Sequence, residues 1–200
     1  MTHIAIVYHS GFGHTAKIAE HIEKGAASLD GTKVTLLKAD EMVDGHKLKE
    51  DAISTLANAD AIIFGTPTYM GSASALFKSF MEASSGIWSQ LGWKDKVAAG
   101  FTNSLSMSGD KLNTLFQLAI FAAQHGMIWV GQAEPNASNE EGPSGRPDAI
   151  NRIGSTLGSM AQSDNAPAEE TPPSGDLKTA ELLGERVARI TRQFKAGASA

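Results

Sequence analysis

Cysteine is absent from the 200 residues. That excludes disulfides, thiolate catalysis and cysteine-held zinc or iron–sulfur centres. Long apolar runs are missing too, since no stretch approaches the roughly eighteen residues a membrane span needs. Neither sign of charge is in large excess. Lys and Arg number 17 against 22 Asp and Glu, a formal net charge of −5, and the basic residues are scattered. Nucleic acid demands a concentrated basic face, so nucleic-acid partners are not expected. A dedicated acidic electron carrier would carry a larger negative excess for steering, and the balance leans away from that class as well. His3, His9, His21 and His46 have no ligand-like spacing with one another or with acids, which predicts no metal site. A strand starts almost at once, leaving no room for a signal peptide, so the cytoplasm is the expected compartment.

What is present is an alternation of short apolar runs and amphipathic segments. Strands are predicted at 4–8, 33–38, 61–65, 97–101 and 127–131, rich in β-branched and apolar residues. Helices are predicted at 14–29, 51–59, 74–83, 112–124 and 177–194 from their apolar periodicity. In the helix at 74–83, Leu76, Phe77, Phe80 and Met81 are expected to be buried. In the helix at 112–124, Leu112, Leu115, Phe116, Ala119 and Ile120 are expected to face in. Strand–helix alternation implies a parallel sheet with right-handed crossovers. The length suits one α/β domain over 1–200. Residues 132–176 break the pattern with Gly, Pro, Ser and Asn, and read as an irregular insertion of the kind that is functional or disordered.

Ser10-Gly11-Phe12-Gly13-His14-Thr15 links the first strand to the first helix. A strand that turns directly into a helix leaves unpaired N–H groups at the positive end of the helix dipole, which is an anion site. The glycines permit close backbone approach, and Ser10 and Thr15 add hydroxyls. Two other readings stay open from the loop alone. It is also a plain helix cap, and Gly11, Gly13 and Ala16 fit the dinucleotide pattern G-x-G-x-x-A.

In an open parallel sheet, ligands sit outside the carboxyl ends of the strands. Three loops leave such ends, at 10–15, 66–72 and 102–109, and all are built from Gly, Ser, Thr, Asn and Pro. They offer hydrogen bonds and little acid–base power, so the chemistry is expected to belong to a bound cofactor.

Four segments then carry a resemblance to a known family. Ser10 to Thr15 looks like the phosphate loop of flavodoxin-like FMN proteins. Phe64-Gly65-Thr66-Pro67-Thr68-Tyr69-Met70-Gly71-Ser72 is similar to the flavin-ring loop of the WrbA-type NAD(P)H:quinone oxidoreductases. Gly86-Ile87-Trp88 and Gln124-His125-Gly126-Met127-Ile128 fit the same family. The resemblance implies a flavodoxin-like three-layer sandwich, with a five-stranded parallel sheet in the order 2-1-3-4-5 and helices on both faces. It implies an FMN-dependent oxidoreductase that passes two electrons from NADH or NADPH to a quinone-like acceptor, working as a dimer or tetramer. A flavodoxin-type electron carrier and an oligomeric FMN-binding regulatory protein are the alternatives.

Carried over by residue, Ser10, Gly11, Phe12, Gly13, His14 and Thr15 would hold the FMN phosphate, with the His14 ring turned to solvent. Pro67, Thr68, Tyr69, Met70 and Gly71 would wrap the isoalloxazine ring, and Thr102, Asn103 and Ser104 would line the ribityl chain and pyrimidine edge. His125 would stand near the flavin's substrate face as a proton donor, and Tyr69 would stack on the flavin or bond a substrate. Trp88 would close the pocket from a neighbouring subunit. The chain departs from the family pattern at two places. Leu105 and Met107 occupy a loop that is glycine-rich in the family. Glu141-Gly142-Pro143-Ser144-Gly145-Arg146-Pro147 lacks the tyrosine of the family's Gly-Gly-x-Pro-Tyr-Gly-Ala stretch.

Overall fold

The central strands β1 (Thr2–Tyr8), β5 (Ala61–Tyr69) and β7 (Val97–Ser104) are apolar on both faces, as strands covered by helices on both sides must be. The computed structural model describes residues 1–136, 142, 143 and 145–198. β2 (Thr32–Lys38) pairs with β1, β1 with β5, β5 with β7 and β7 with β8 (Ile128–Trp129), all in parallel. Counting only these five, the order is the expected 2-1-3-4-5. That order also removes the dinucleotide reading, whose sheet runs 3-2-1-4-5-6.

Two helices cover one face and three the other. α1 (His14–Ala27) and α6 (Ser174–Ala198) bury Ile18, Ile22, Leu183 and Val187 against Ile4, Ile6, Ile63 and Phe101. They lie unusually close, because a Cβ on Gly184 would meet the Ile22 carbonyl oxygen at 2.1 Å. α2 (Glu50–Ala57), α3 (Ala75–Ala83) and α5 (Lys111–Gln124) cover the opposite face, around Phe64, Phe77, Phe80, Trp93 and Phe121. A two-strand hairpin, β3 (Val43–Asp44) with β4 (Lys47–Leu48), and the one-turn α4 (Ser85–Trp88) complete that side.

Three expectations need correction. The fifth strand is not continuous over 127–131. It is split into β8 and β9 (Ser159–Gln162), which lie one after the other along the same edge of β7, at Val97–Ala98 and at Phe101–Ser104. The segment 132–176 is therefore not wholly irregular, since it supplies a strand of the sheet. In α5 the apolar stripe points both ways. Leu115 and Leu118 are buried, while Leu112, Phe116 and Ile120 are half-exposed or more, as is Leu76 on α3. A helix that is apolar nearly all round does not reveal which side its neighbours will cover.

Candidate functional site

The carboxyl ends of β1, β5 and β7 open onto a cavity of about 530 Å³. Its walls come from all three expected loops, through Ser10, Gly11, Phe12, His14 and Thr15, then Pro67, Thr68 and Tyr69, then Asn103 and Ser104. A fourth wall was not foreseen. Residues 163–167, just after β9, close the cavity with Ser163, Asp164, Asn165, Ala166 and Pro167. The one signal for it in the sequence is Ser163-Asp164-Asn165, a polar triplet behind the short apolar pair Met160-Ala161.

At the β1–α1 turn, Gly13 is the residue preceding α1 and has φ 88°, a left-handed conformation that favours glycine. Ser10 Oγ accepts a hydrogen bond from the Ala16 N–H at 3.1 Å, so the cap reading accounts for one donor. The backbone N–H groups of Gly11, Phe12, Gly13, His14 and Thr15 donate to nothing among the described residues. Unpaired donors just before and at a helix N-terminus are groups that an anion can satisfy. Tyr69 Oη packs so closely on Gly11 that a Cβ there would meet it at 2.5 Å, which requires glycine at this position. The His14 ring is not turned to solvent as expected. Its Nε2 donates to the Ala166 carbonyl at 2.8 Å and latches the turn to the fourth wall.

The middle loop is less of a loop than its composition suggests. β5 continues to Tyr69 and returns through β6 (Ser72–Ala73) in a two-residue hairpin, with Met70 at φ 49° and Gly71 at φ 80°. Met70 and Gly71 form the exposed tip and do not line the cavity. Tyr69 does, set edge-on against Phe12 with ring centroids 6.5 Å apart. Its phenol is raised above the ordinary tyrosine range by burial. Thr68 and Thr102 face inward and bond each other through their hydroxyls at 2.8 Å, so Thr102 stiffens the rim without lining it. Asn103 Oδ1 accepts from Ser163 Oγ at 3.0 Å, tying the third loop to the fourth wall.

His125 does not join these residues. α5 runs back from the rim, so His125 ends it at the amino-terminal edge of the sheet, where Gly126 and Ile128 bond Asp95 and Lys96. His125 is 2% exposed and packed on Trp93, ring centroids 4.2 Å apart, and its Nε2 bonds Ser84 Oγ at 3.0 Å. Desolvation lowers it to about 4, which leaves it neutral and a poor proton donor near pH 7. With half-exposed Trp88 it borders a separate cavity of about 320 Å³.

Residues 8–142 match the NADPH-dependent FMN reductase family. The chain belongs to that family. It is 41% identical over 198 residues to flavodoxin FldP of Pseudomonas aeruginosa, spanning 98% of this chain and all of that one. It is 29% identical to an NAD(P)H dehydrogenase (quinone) of Geotalea uraniireducens, over 96% and 98% of the two chains. A solved flavodoxin, WrbA-like protein from Agrobacterium tumefaciens superposes with a TM-score of 0.72 at 42% identity, covering 96% of this chain and 99% of that one. The WrbA-type resemblance and the flavodoxin-like fold are thereby borne out. Of the family's stretch after the fifth strand, Glu141 and Ser144 lie outside the described residues. Among the described residues no helix is long and apolar enough to cross a membrane, and no cluster of three or more acids or histidines is placed to hold a metal.

Proposed function

We propose that this FMN reductase-family chain binds FMN in the rim cavity and uses NADH or NADPH to reduce a quinone-like acceptor. The observation that carries the proposal is the set of five unpaired N–H groups from Gly11 to Thr15, opening on a cavity of mononucleotide scale. Bound FMN would supply the redox chemistry, accepting hydride and passing on two electrons. The chain's own part is to grip and orient. The Gly11–Thr15 donors and the Ser10 and Thr15 hydroxyls hold a phosphate, and Pro67, Tyr69, Asn103 and Ser104 flank a ring. Phe12, Tyr69 and Leu105 give the mouth an exposed apolar rim, which suits a flat aromatic acceptor.

His125 and Trp88 sit too far along the sheet to serve this cavity within one chain. Any role at a flavin would be played in the cavity of a second copy. The half-exposed stripe of Leu112, Phe116 and Ile120 supports such a homo-oligomer, which light scattering would detect.

The test of function is direct. FMN-loaded protein should oxidise NADH or NADPH in the presence of benzoquinone, and absence of turnover would remove the quinone reductase reading. The second reading, a flavodoxin-type carrier, is favoured by the full-length identity to flavodoxin FldP. It expects tight FMN binding, negligible oxidation of NAD(P)H alone, and rapid reduction by a separate reductase.

A further inference from the structure

Lys111 is the only charged residue in α5, and it is 1% exposed. Its Nζ donates to Ser104 Oγ at 2.8 Å, to the Ser106 carbonyl at 2.8 Å and to the Met107 carbonyl at 2.9 Å. All three ammonium protons are thus placed on one turn, 104–107, whose front residues Ser104 and Leu105 line the rim cavity. Behind the turn, Arg152 grips Asp176 with Nε at 2.8 Å and Nη2 at 2.9 Å, both side chains buried. Gln162 joins the two layers, accepting from Arg152 at 2.9 Å and donating to the Leu105 carbonyl at 3.0 Å and to Asp164 at 2.8 Å.

Two cations and one anion leave this buried cluster one positive charge. Among the described residues the cavity lining holds no Lys or Arg, and its one carboxylate is Asp164. A neutral donor would tie the same carbonyls without the desolvation cost of a buried ammonium. That cost is visible: burial lowers Lys111 to about 8, with Arg152 adding to the fall and Asp176 opposing it. Asp110, which precedes α5, is the adjacent acid in sequence.

We propose that Lys111 is a positioning residue of the rim cavity: from one hydrogen bond behind the wall, its ammonium holds the 104–107 turn in place and supplies the positive charge that favours an anionic occupant. The inference rests on the reading of that cavity as an FMN site.

FMN titrations followed by flavin fluorescence, between pH 7 and 9, test it on the wild type, Lys111→Met and Lys111→Arg. Wild-type affinity should weaken by several-fold to about tenfold as the pH passes 8, because the charge is lost. Lys111→Met should be weaker by about tenfold at pH 7 and insensitive to pH. Lys111→Arg should bind as the wild type does at pH 7 and stay flat, since its charge does not titrate. Apoprotein melting supplies the control. With the folded pKa depressed, the unfolded chain binds more protons above pH 8, so Lys111 makes the fold more stable as affinity falls. A turn that merely loosened would lower both. If the wild type binds no FMN at any pH, the cavity assignment itself fails. If it binds FMN with a flat profile, or the step survives in Lys111→Met, the Lys111 inference alone is overturned. Should Lys111→Met not fold, the contrast between wild type and Lys111→Arg still decides.

Discussion

The two ends of the sheet treat the same kinds of residue in opposite ways. At the carboxyl rim, polar groups are left with unused capacity: five backbone donors have no partner among the described residues, and His14 latches across the cavity. At the amino-terminal edge, His125 is pressed on Trp93 and bonded to Ser84, with its charge suppressed by burial. One end presents free backbone donors to a cavity, and the other holds its histidine buried and neutral beside a smaller one. Identity as a histidine therefore says little about role, because the environment sets the chemistry.

The sharpest way to break this contrast is to fill the rim. Gly13→Val places a β-branched residue at φ 88° with its Cβ 3.0 Å from Ala168 Cβ. FMN affinity should fall by roughly a hundredfold or more, with a stability loss of about 1–3 kcal/mol from the strained backbone. Fluorescence titration and thermal melting separate the two effects, and wild-type affinity in Gly13→Val would end the case for the turn as the anion site. Tyr69→Ala should weaken FMN by about tenfold, whereas Tyr69→Phe should cost no more than about twofold, if the proposed contact is through the ring. Equal losses in both would shift the role to the hydroxyl. His14→Ala removes one latch and should cost about fivefold in affinity, near 1 kcal/mol, with faster FMN dissociation in stopped flow.

His125→Gln is expected to change FMN affinity least, by less than about twofold, since no wall of the cavity moves. Its signature is in stability. His125 has a folded pKa of about 4, below its ordinary value, so its contribution is complete above about pH 6.5 and lost as the pH falls toward 4. That share is on the order of 3 kcal/mol, and His125→Gln should melt with a flatter pH profile over the same window.

Most of the fold was legible because its deciding strands are short, apolar and flanked by helical periodicity. Ile4 to Tyr8, Ala61 to Phe64 and Val97 to Phe101 need no tertiary information to be read as buried strands. The tight β1–α1 turn was legible from Ser10, Gly11 and Gly13 for a similar reason, since its geometry is local. What was not legible depends on distant partners. Ser159-Met160-Ala161-Gln162 is too short and too mixed to announce a strand, and becomes one only because β7 leaves an open edge at Phe101–Ser104. The fourth wall follows from that pairing. Lys111 drew no attention in the sequence, because a single charge at the start of an apolar helix carries no pattern of its own. That His125 lies away from the cavity of its own chain was not legible, because a motif gives the residue but not the end of the sheet to which its helix returns.

The split edge strand also bears on local opening of the molecule. Phe101 pairs with Ser159, about as far apart in sequence as Ile4 and Ala61, and the fourth wall follows directly on that pairing. An occupant that touches the wall stabilises the native state over any form in which β9 has come away from β7, so it should slow hydrogen exchange along β9.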